Sequence, residues 1–541
     1  MTARDCHRSS CFEMQPVGLV RSGIDATVLA LASVAISGLL LGSSVRAGVY
    51  YVDIGSGSNS NMGTSTNAPW KHLPGTVGQS GSGWVVLKDG DTVYVKGGTT
   101  NNVQARVSTS WYNGNQAFDS IKIISGHLAA SPWGSGRAIF DEQSGNTYGL
   151  WVGNLAHGIT VDGFEVRNIK AGGAGLGFDD VNGSSCILVG GSGNPGSSHI
   201  KIRRCYLHDA LRDADDRGHG IETDSVSDLV VEYNIIGPNI GTKGIEAIVG
   251  VTRGDCNANY ISTTGDHAIV ISGQNWDVRN NVINRVGPFV HDPVYAIKIT
   301  GNNNDIWNNL CYRNDPVLPS PLTDRPQGIG LFRGRNNRLF HNSVYNFANS
   351  PNGHEFGVGI SLGDENQSAA NNLVENNLVL NCRNLQGRIQ FYIYSACVSN
   401  TVSYNCFFGS SATEVTVNYN DGTFYNVDQF NTNALNNANI ADFNVQLDPQ
   451  WKRGTLPNGL DAAFRPNVPY FQLTTGTPAP IQITRNALAG TATNGYSSAP
   501  NKFAADILGA SRTVWSMGAY EYGGIALPPA PPTNLRVVPG K

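Results

Sequence analysis

Charge is scarce in this chain: Asp, Glu, Lys and Arg together make up 14% of its 541 residues. No basic stripe stands out and the formal net charge is −4, which argues against nucleic acid as the main partner. The nine cysteines form no Cys-x-x-Cys pair and no Cys/His zinc spacing, so a structural zinc site is not indicated. The N-terminal apolar run, Val28–Leu41, is short for a membrane span. What the chain has instead is 64 Gly, with frequent Asn, Ser and Thr. Turn formers and β-branched residues at low charge point away from helical bundles.

The N-terminus reads as an export signal. Arg21 precedes the apolar run, and the small residues Val45 and Ala47 suit a signal peptidase. Residues 1–47 are therefore expected to be removed, with no membrane span afterwards and a location outside the cell or on its surface. Seven cysteines then remain, an odd number. A buried, small-hydrophobe role is expected for them, although Cys382, Cys397 and Cys406 are close enough in sequence for one disulfide.

Two columns of residues repeat along the chain. Asn234, Asn259, Asn281, Asn309, Asn342, Asn377 and Asn405 each close a short strand-like run and precede two further strand-forming residues. Their spacings are 25, 22, 28, 33, 35 and 28, as expected of coils that share strands but differ in one loop. The second column is Ile187, Ile221, Ile245, Ile269, Ile297, Ile329 and Ile360, each preceded by Cys, Gly or Ala. The alternation after each Ile is that of a strand with one buried face. Two strand columns per repeat predict a solenoid. Stacked Asn side chains bond to one another about 4.8 Å apart, and Asn tolerates the left-handed turn.

The opening motifs Tyr50-Tyr-Val-Asp53, Ala68-Pro-Trp-Lys71 and Gly90-Asp-Thr-Val-Tyr-Val-Lys-Gly-Gly98 resemble the start of secreted bacterial right-handed parallel β-helix proteins, many of them polysaccharide lyases. Phe471–Pro478 and Met517-Gly-Ala-Tyr-Glu-Tyr522 resemble the end of that architecture, though Thr477-Pro-Ala-Pro480 departs from its usual cap. The resemblance covers about residues 48–524. The expected fold is all-β: a parallel β-helix over 48–445, terminal coils and cap over 446–524, and a Pro-rich tail over 525–541. The tail looks like the first strand of a fibronectin type III module. The resemblance also places the Asn turn between the second and third strands of a coil. It puts the substrate groove on the exposed face of the first strand, the one carrying the Ile column.

Alternation points the residue after each ladder Ile outward: Leu188, Glu222, Glu246, Val270, Lys298, Gly330 and Ser361. Glu222 and Glu246 become neighbours on adjacent rungs, with Asp224 further along the same face. Three close carboxylates need a cation, a proton or a sugar between them. Oxygen ligands of this kind suit Ca²⁺, and the loop Asp209–Arg217 adds acids beside them. The bland alternative is a solvated acidic patch. Lys298 lies two rungs beyond Glu246 and is a candidate base. His219, Lys243, His267 and Tyr295 form a further column two residues before each Ile, where His219 or His267 suits acid–base work. Arg253, Arg333 and Arg335 are candidates for binding substrate carboxylates. Gly218-His-Gly220 resembles a polygalacturonase triplet, but the Asn-Thr-Asp motif is missing.

The leading expectation is a lyase of a uronate-containing polysaccharide. Ca²⁺ on Glu222, Asp224 and Glu246 would acidify the sugar, and Lys298, His267 or His219 would take the proton. Arg253, Arg333, Lys243 and Tyr295 would hold the substrate. The alternatives are a glycoside hydrolase using paired carboxylates and a non-catalytic glycan-binding surface protein. A monomer is expected.

Overall fold

The computed structural model describes residues 47–450, except 144–147, 154, 170–183, 192–195, 211–217, 249, 287–292, 314–324, 348–356, 365–367, 383–388, 410–413, 420–421 and 434, together with Ile507, Gly518 and Ala519. The proposed signal, most of the C-terminal cap and the Pro-rich tail lie outside the described residues.

One coil shows how the chain is built. Ile245–Ala247 belongs to a first sheet, Thr252–Asn257 to a second and Tyr260–Thr264 to a third; Ile269–Ile271 then returns to the first. Repetition gives stacked sheets of 12, 13 and 11 strands among the described residues. The strands pair in parallel with their equivalents one coil away, as Ile221 with Ile245 and Ile245 with Ile269, except that Thr423–Tyr425 closes the first sheet antiparallel to Val417–Tyr419. The fold is the expected right-handed parallel β-helix, the hand favoured for parallel crossovers. Its strands run from Val49–Val52 to Ile440–Asp442. The first sheet thus starts well before Ile187, with Ala105–Val107 and Tyr148–Val152. Ala105 and Leu150 hold the ladder position there, which hid these coils from an Ile count.

The Asn ladder sits at the turn from second to third sheet. Each amide oxygen accepts from the backbone N–H and the side-chain N–H of the Asn one coil earlier; Asn342 does so for Asn309 at 3.0 and 2.9 Å. A second ladder, which the column reading missed, lines the turn from first to second sheet: Asn304, Asn337, Asn372, Asn400 and Asn439. Its separations of 33, 35, 28 and 39 residues repeat those of Asn309 through Asn444. Each second-sheet strand in these coils is thus bracketed by one buried Asn at either end.

The Ile column is fully buried. The small residue before each Ile also faces inward. A Cβ on Gly220 would meet Ile236 Cγ2 at 2.6 Å, and one on Gly244 would meet Ile261 Cγ2 at 2.7 Å. Two consecutive inward residues break the alternation, so the residue before the small one turns outward. That shift places His219, Lys243, His267 and Tyr295 on the outer face.

The seven cysteines among the described residues are all free and buried, so none of Cys382, Cys397 and Cys406 is in a disulfide. Burial pushes the Cys382 and Cys406 thiols up to about 12, which makes them inert core residues. At the C-terminal end, Phe430 of the helix Val427–Thr432 packs on Phe391. Ile507 and Ala519 join an apolar cluster with Leu310, Leu378 and Cys406 on the outside of the third sheet. Ala519 donates its N–H to Ser343 Oγ, 176 residues earlier. Among the described residues no helix is long and apolar enough to cross a membrane.

Glu375, on the second sheet, is 3% exposed and only its Oε1 is bonded, to Ser403. Burial, with Asp442 nearby, lifts its carboxyl to about 7. Between the ordinary glutamate range and that value the folded chain keeps a proton that the unfolded chain has lost. Stability should therefore fall as pH rises through this window, by on the order of 3 kcal/mol. Melting curves of Glu375→Gln should lack most of that fall; a variant that tracks the parent from pH 5 to 8 would refute the assignment.

Candidate functional site

The outer face of the first sheet carries two interleaved columns. One holds Ser185, His219, Lys243, His267, Tyr295 and Gln327. The other, three residues later in each strand, holds Leu188, Glu222, Glu246, Val270, Lys298, Gly330 and Ser361, in register from rung to rung. Side chains of the first column reach their own rung and the next.

The first group formed this way is a charge-paired quartet. His219 Nδ1 lies 3.2 Å from Glu222 Oε2, and its Nε2 lies 3.5 Å from Glu246 Oε2. Lys243 Nζ closes on Glu246 Oε1 at 2.8 Å. Ser185 Oγ donates to Glu222 Oε2 at 2.5 Å. Burial raises the Glu222 carboxyl, but His219, Ser185 and Lys243 outweigh it and hold the group down at about 2. His219 is 3% exposed, yet neither ring nitrogen has an aligned hydrogen-bond partner.

The three carboxylates of the calcium expectation each meet a side chain of the protein. Asp224 takes a hydrogen bond from Ser225, while Glu222 and Glu246 turn to His219 and Lys243. The charge that the glutamates need is supplied by side chains. Among the described residues no three His, Cys, Asp or Glu side chains converge as a cation cage.

The second group is a chain of contacts from Asp266 to Lys298. Asp266 Oδ1 lies 2.9 Å from His267 Nδ1, and His267 Nε2 lies 3.3 Å from Lys298 Nζ. The Tyr295 N–H also points at His267 Nδ1, at 3.1 Å. One nitrogen cannot serve both neighbours as a hydrogen bond, so its tautomer selects between them. Nδ1–H toward Asp266 leaves Nε2 to accept from a Lys298 ammonium. Nδ1 accepting from Tyr295 leaves Nε2–H to donate to a neutral amine. Burial pushes both His267 and Lys298 down; Lys243 adds to this at both, while Asp266 opposes it. Asp266 was not singled out from the sequence. An aspartate immediately before a column histidine is the signal that marks it.

Aromatic rings frame Lys298. Its ammonium sits 4.7 Å from the Phe332 ring centre and 5.5 Å from that of Tyr295. Gly330 leaves room for this arrangement, since a Cβ there would lie 2.3 Å from Tyr295 Cε1. Arg333 is exposed and lies over Phe332 at 5.7 Å, beside the Lys298 end of the face. Arg253 is elsewhere: it lies in the second-sheet strand Thr252–Asn257 and pairs with Asp228 at 2.8 Å. Arg335 lies near the next turn, where its N–H donates to Asn302. Of the acidic loop, Asp209 bonds to His208 at 2.6 Å, and 211–217 lie outside the described residues. The structure thus gathers His219, Glu222, Lys243, Glu246, His267, Tyr295 and Lys298 on one face, with Arg333 beside them.

No family model matches the chain, and no curated protein matches it. Among solved structures it is similar to the pectate lyase Pel9A, at 15% identity over 89% of this chain and 98% of that one, with a TM-score of 0.43. It is similar also to an alginate lyase from Paenibacillus sp. str. FPU-7, at 18% identity over 53% of this chain and 88% of that one, TM-score 0.36. A third is a lacto-N-biosidase from Eubacterium ramulus, at 12% identity over 78% of this chain and 71% of that one, TM-score 0.40.

Proposed function

We propose that this is a secreted carbohydrate-active β-helix protein that cleaves a uronate-containing polysaccharide by β-elimination. The observation that carries the reading is the contact between Lys298 and His267, two nitrogen bases that burial drives toward their neutral forms. A neutral Lys298 amine takes the proton from the carbon beside the uronate carboxylate. That electron pair forms the carbon–carbon double bond, and the glycosidic bond at the next carbon breaks. The departing oxygen receives a proton from the Lys298 ammonium, so the protein ends as it began. His267, oriented by Asp266 or by the Tyr295 amide, follows the change by switching tautomer. Arg333 is placed to meet the carboxylate.

The hydrolase alternative needs a carboxyl that keeps its proton near neutral pH. Glu222 is pulled the opposite way, and Glu246 is engaged by Lys243 at 2.8 Å. A panel of uronate and neutral glycans, read by the ultraviolet absorbance of unsaturated product with and without chelator, tests the assignment. Unsaturated ends are expected. Saturated products would favour a hydrolase, and binding without turnover would favour a glycan-binding surface protein; either result sinks the lyase.

A further inference from the structure

We propose that the preferred substrate alternates in charge, each uronate being flanked by an uncharged or amino sugar; this rests on the β-elimination reading above. The face itself is divided. Toward its N-terminal end stand Glu222 and Glu246, with His219 between them and Lys243 on Glu246. Toward its C-terminal end stand Lys298 and Arg333, with Asp266 turned to His267. Val270 separates the two halves in register, apolar and 5% exposed. Glu246 and Lys298 are two rungs apart, roughly 10 Å.

A glycan laid along the stack therefore crosses both halves. With one uronate carboxylate against Arg333 and Lys298, the sugars toward the N-terminal end lie over the glutamates. Ser185 and His219 both engage Glu222 through Oε2, so among the described residues neither of them occupies Oε1. A carboxylate oxygen in that position accepts a sugar hydroxyl. It repels a second carboxylate, because Glu222 stays ionised across the working pH range. The buried His219 ring lies between the two glutamates, 3.2 Å from Glu222 and 3.5 Å from Glu246. A homopolymer of uronates brings a carboxylate to each of these rungs. An alternating glycan brings a hydroxyl-bearing neutral ring to the Glu222 rung, the third from Lys298, and its next uronate to the Glu246 rung, where Lys243 stands.

The test compares kcat/KM on hyaluronan, in which glucuronate alternates with an N-acetylated amino sugar, with that on polygalacturonate and polymannuronate at one ionic strength. A preference of about tenfold or more for hyaluronan is expected, the size of one like-charge contact at partial burial. Glu222→Gln keeps an acceptor oxygen and removes the charge, so it should narrow that ratio; so should high salt. Equal or better cleavage of the homopolymers, or a ratio that Glu222→Gln leaves untouched, overturns the proposal. Should no polymer yield unsaturated product, the β-elimination reading fails first and this proposal with it.

Discussion

Lys298→Met should lower kcat on a cleaved uronate polymer by about 10²–10⁴-fold, the usual worth of a positioned general base, with little change in melting temperature. Lys298→Arg separates two roles. Arginine keeps the positive charge but does not lose its proton, so it should rescue a lysine that merely neutralises a carboxylate and fail to rescue a base. The parent rate should climb with pH, because only the neutral amine accepts the substrate proton. The climb should come below the usual lysine range, since burial, helped by Lys243, outweighs the pull of Asp266, Asp364 and Glu246. A flat pH profile, or full activity in Lys298→Arg, would refute the base assignment. Asp266→Asn removes one of the two groups that orient His267, and a weaker loss of kcat is expected there.

The largest loss of stability should come from the Asn ladder. Asn342 is fully buried; its side-chain N–H groups serve Ile306 O, Phe340 O and Asn377 Oδ1, and its oxygen serves Asn309. Asn342→Ala orphans several of these at once. At about 1–3 kcal/mol for each buried unpaired group, the cost is about 3–6 kcal/mol, well beyond an ordinary surface change. Urea and thermal unfolding measure it. A shift no larger than that of an exposed substitution would mean that the ladder is decorative. Asn337→Ala, on the second ladder, should cost a similar amount, because its amide spans the same kind of turn.

The fold was legible because stacking forces repetition. Every rung must satisfy the same turn and fill the same core, so Ile and Asn recur where the physics recurs. The earliest coils escaped notice because Ala105 and Leu150 fill the core equally well without repeating the letter. The Asn304 ladder stands five residues before the other, as Asn337 before Asn342 and Asn372 before Asn377, a spacing obscured by the many other Asn in these coils. The site was legible in part for the same reason: register alone put Glu222, Glu246 and Lys298 in file. What register does not give is direction. Alternation put Glu222 and Glu246 side by side but did not show that His219 lies between them or that Lys243 pairs with Glu246. Asp266 sits before the strand, outside both columns, and only side-chain geometry joins it to His267.

The bond from Ala519 to Ser343, with the one from Gly518 to the Asn376 carbonyl, has a mechanical consequence. A stack of coils joined only to its neighbours can peel from its last rung like a zipper, each coil resisting alone. The returning chain is fastened two rungs inward of Cys406, across the seam that such peeling would follow. Tension applied at the C-terminus is therefore borne by the clasp before it reaches the terminal coils. The molecule should give way in one large step at that end rather than in a series of small ones.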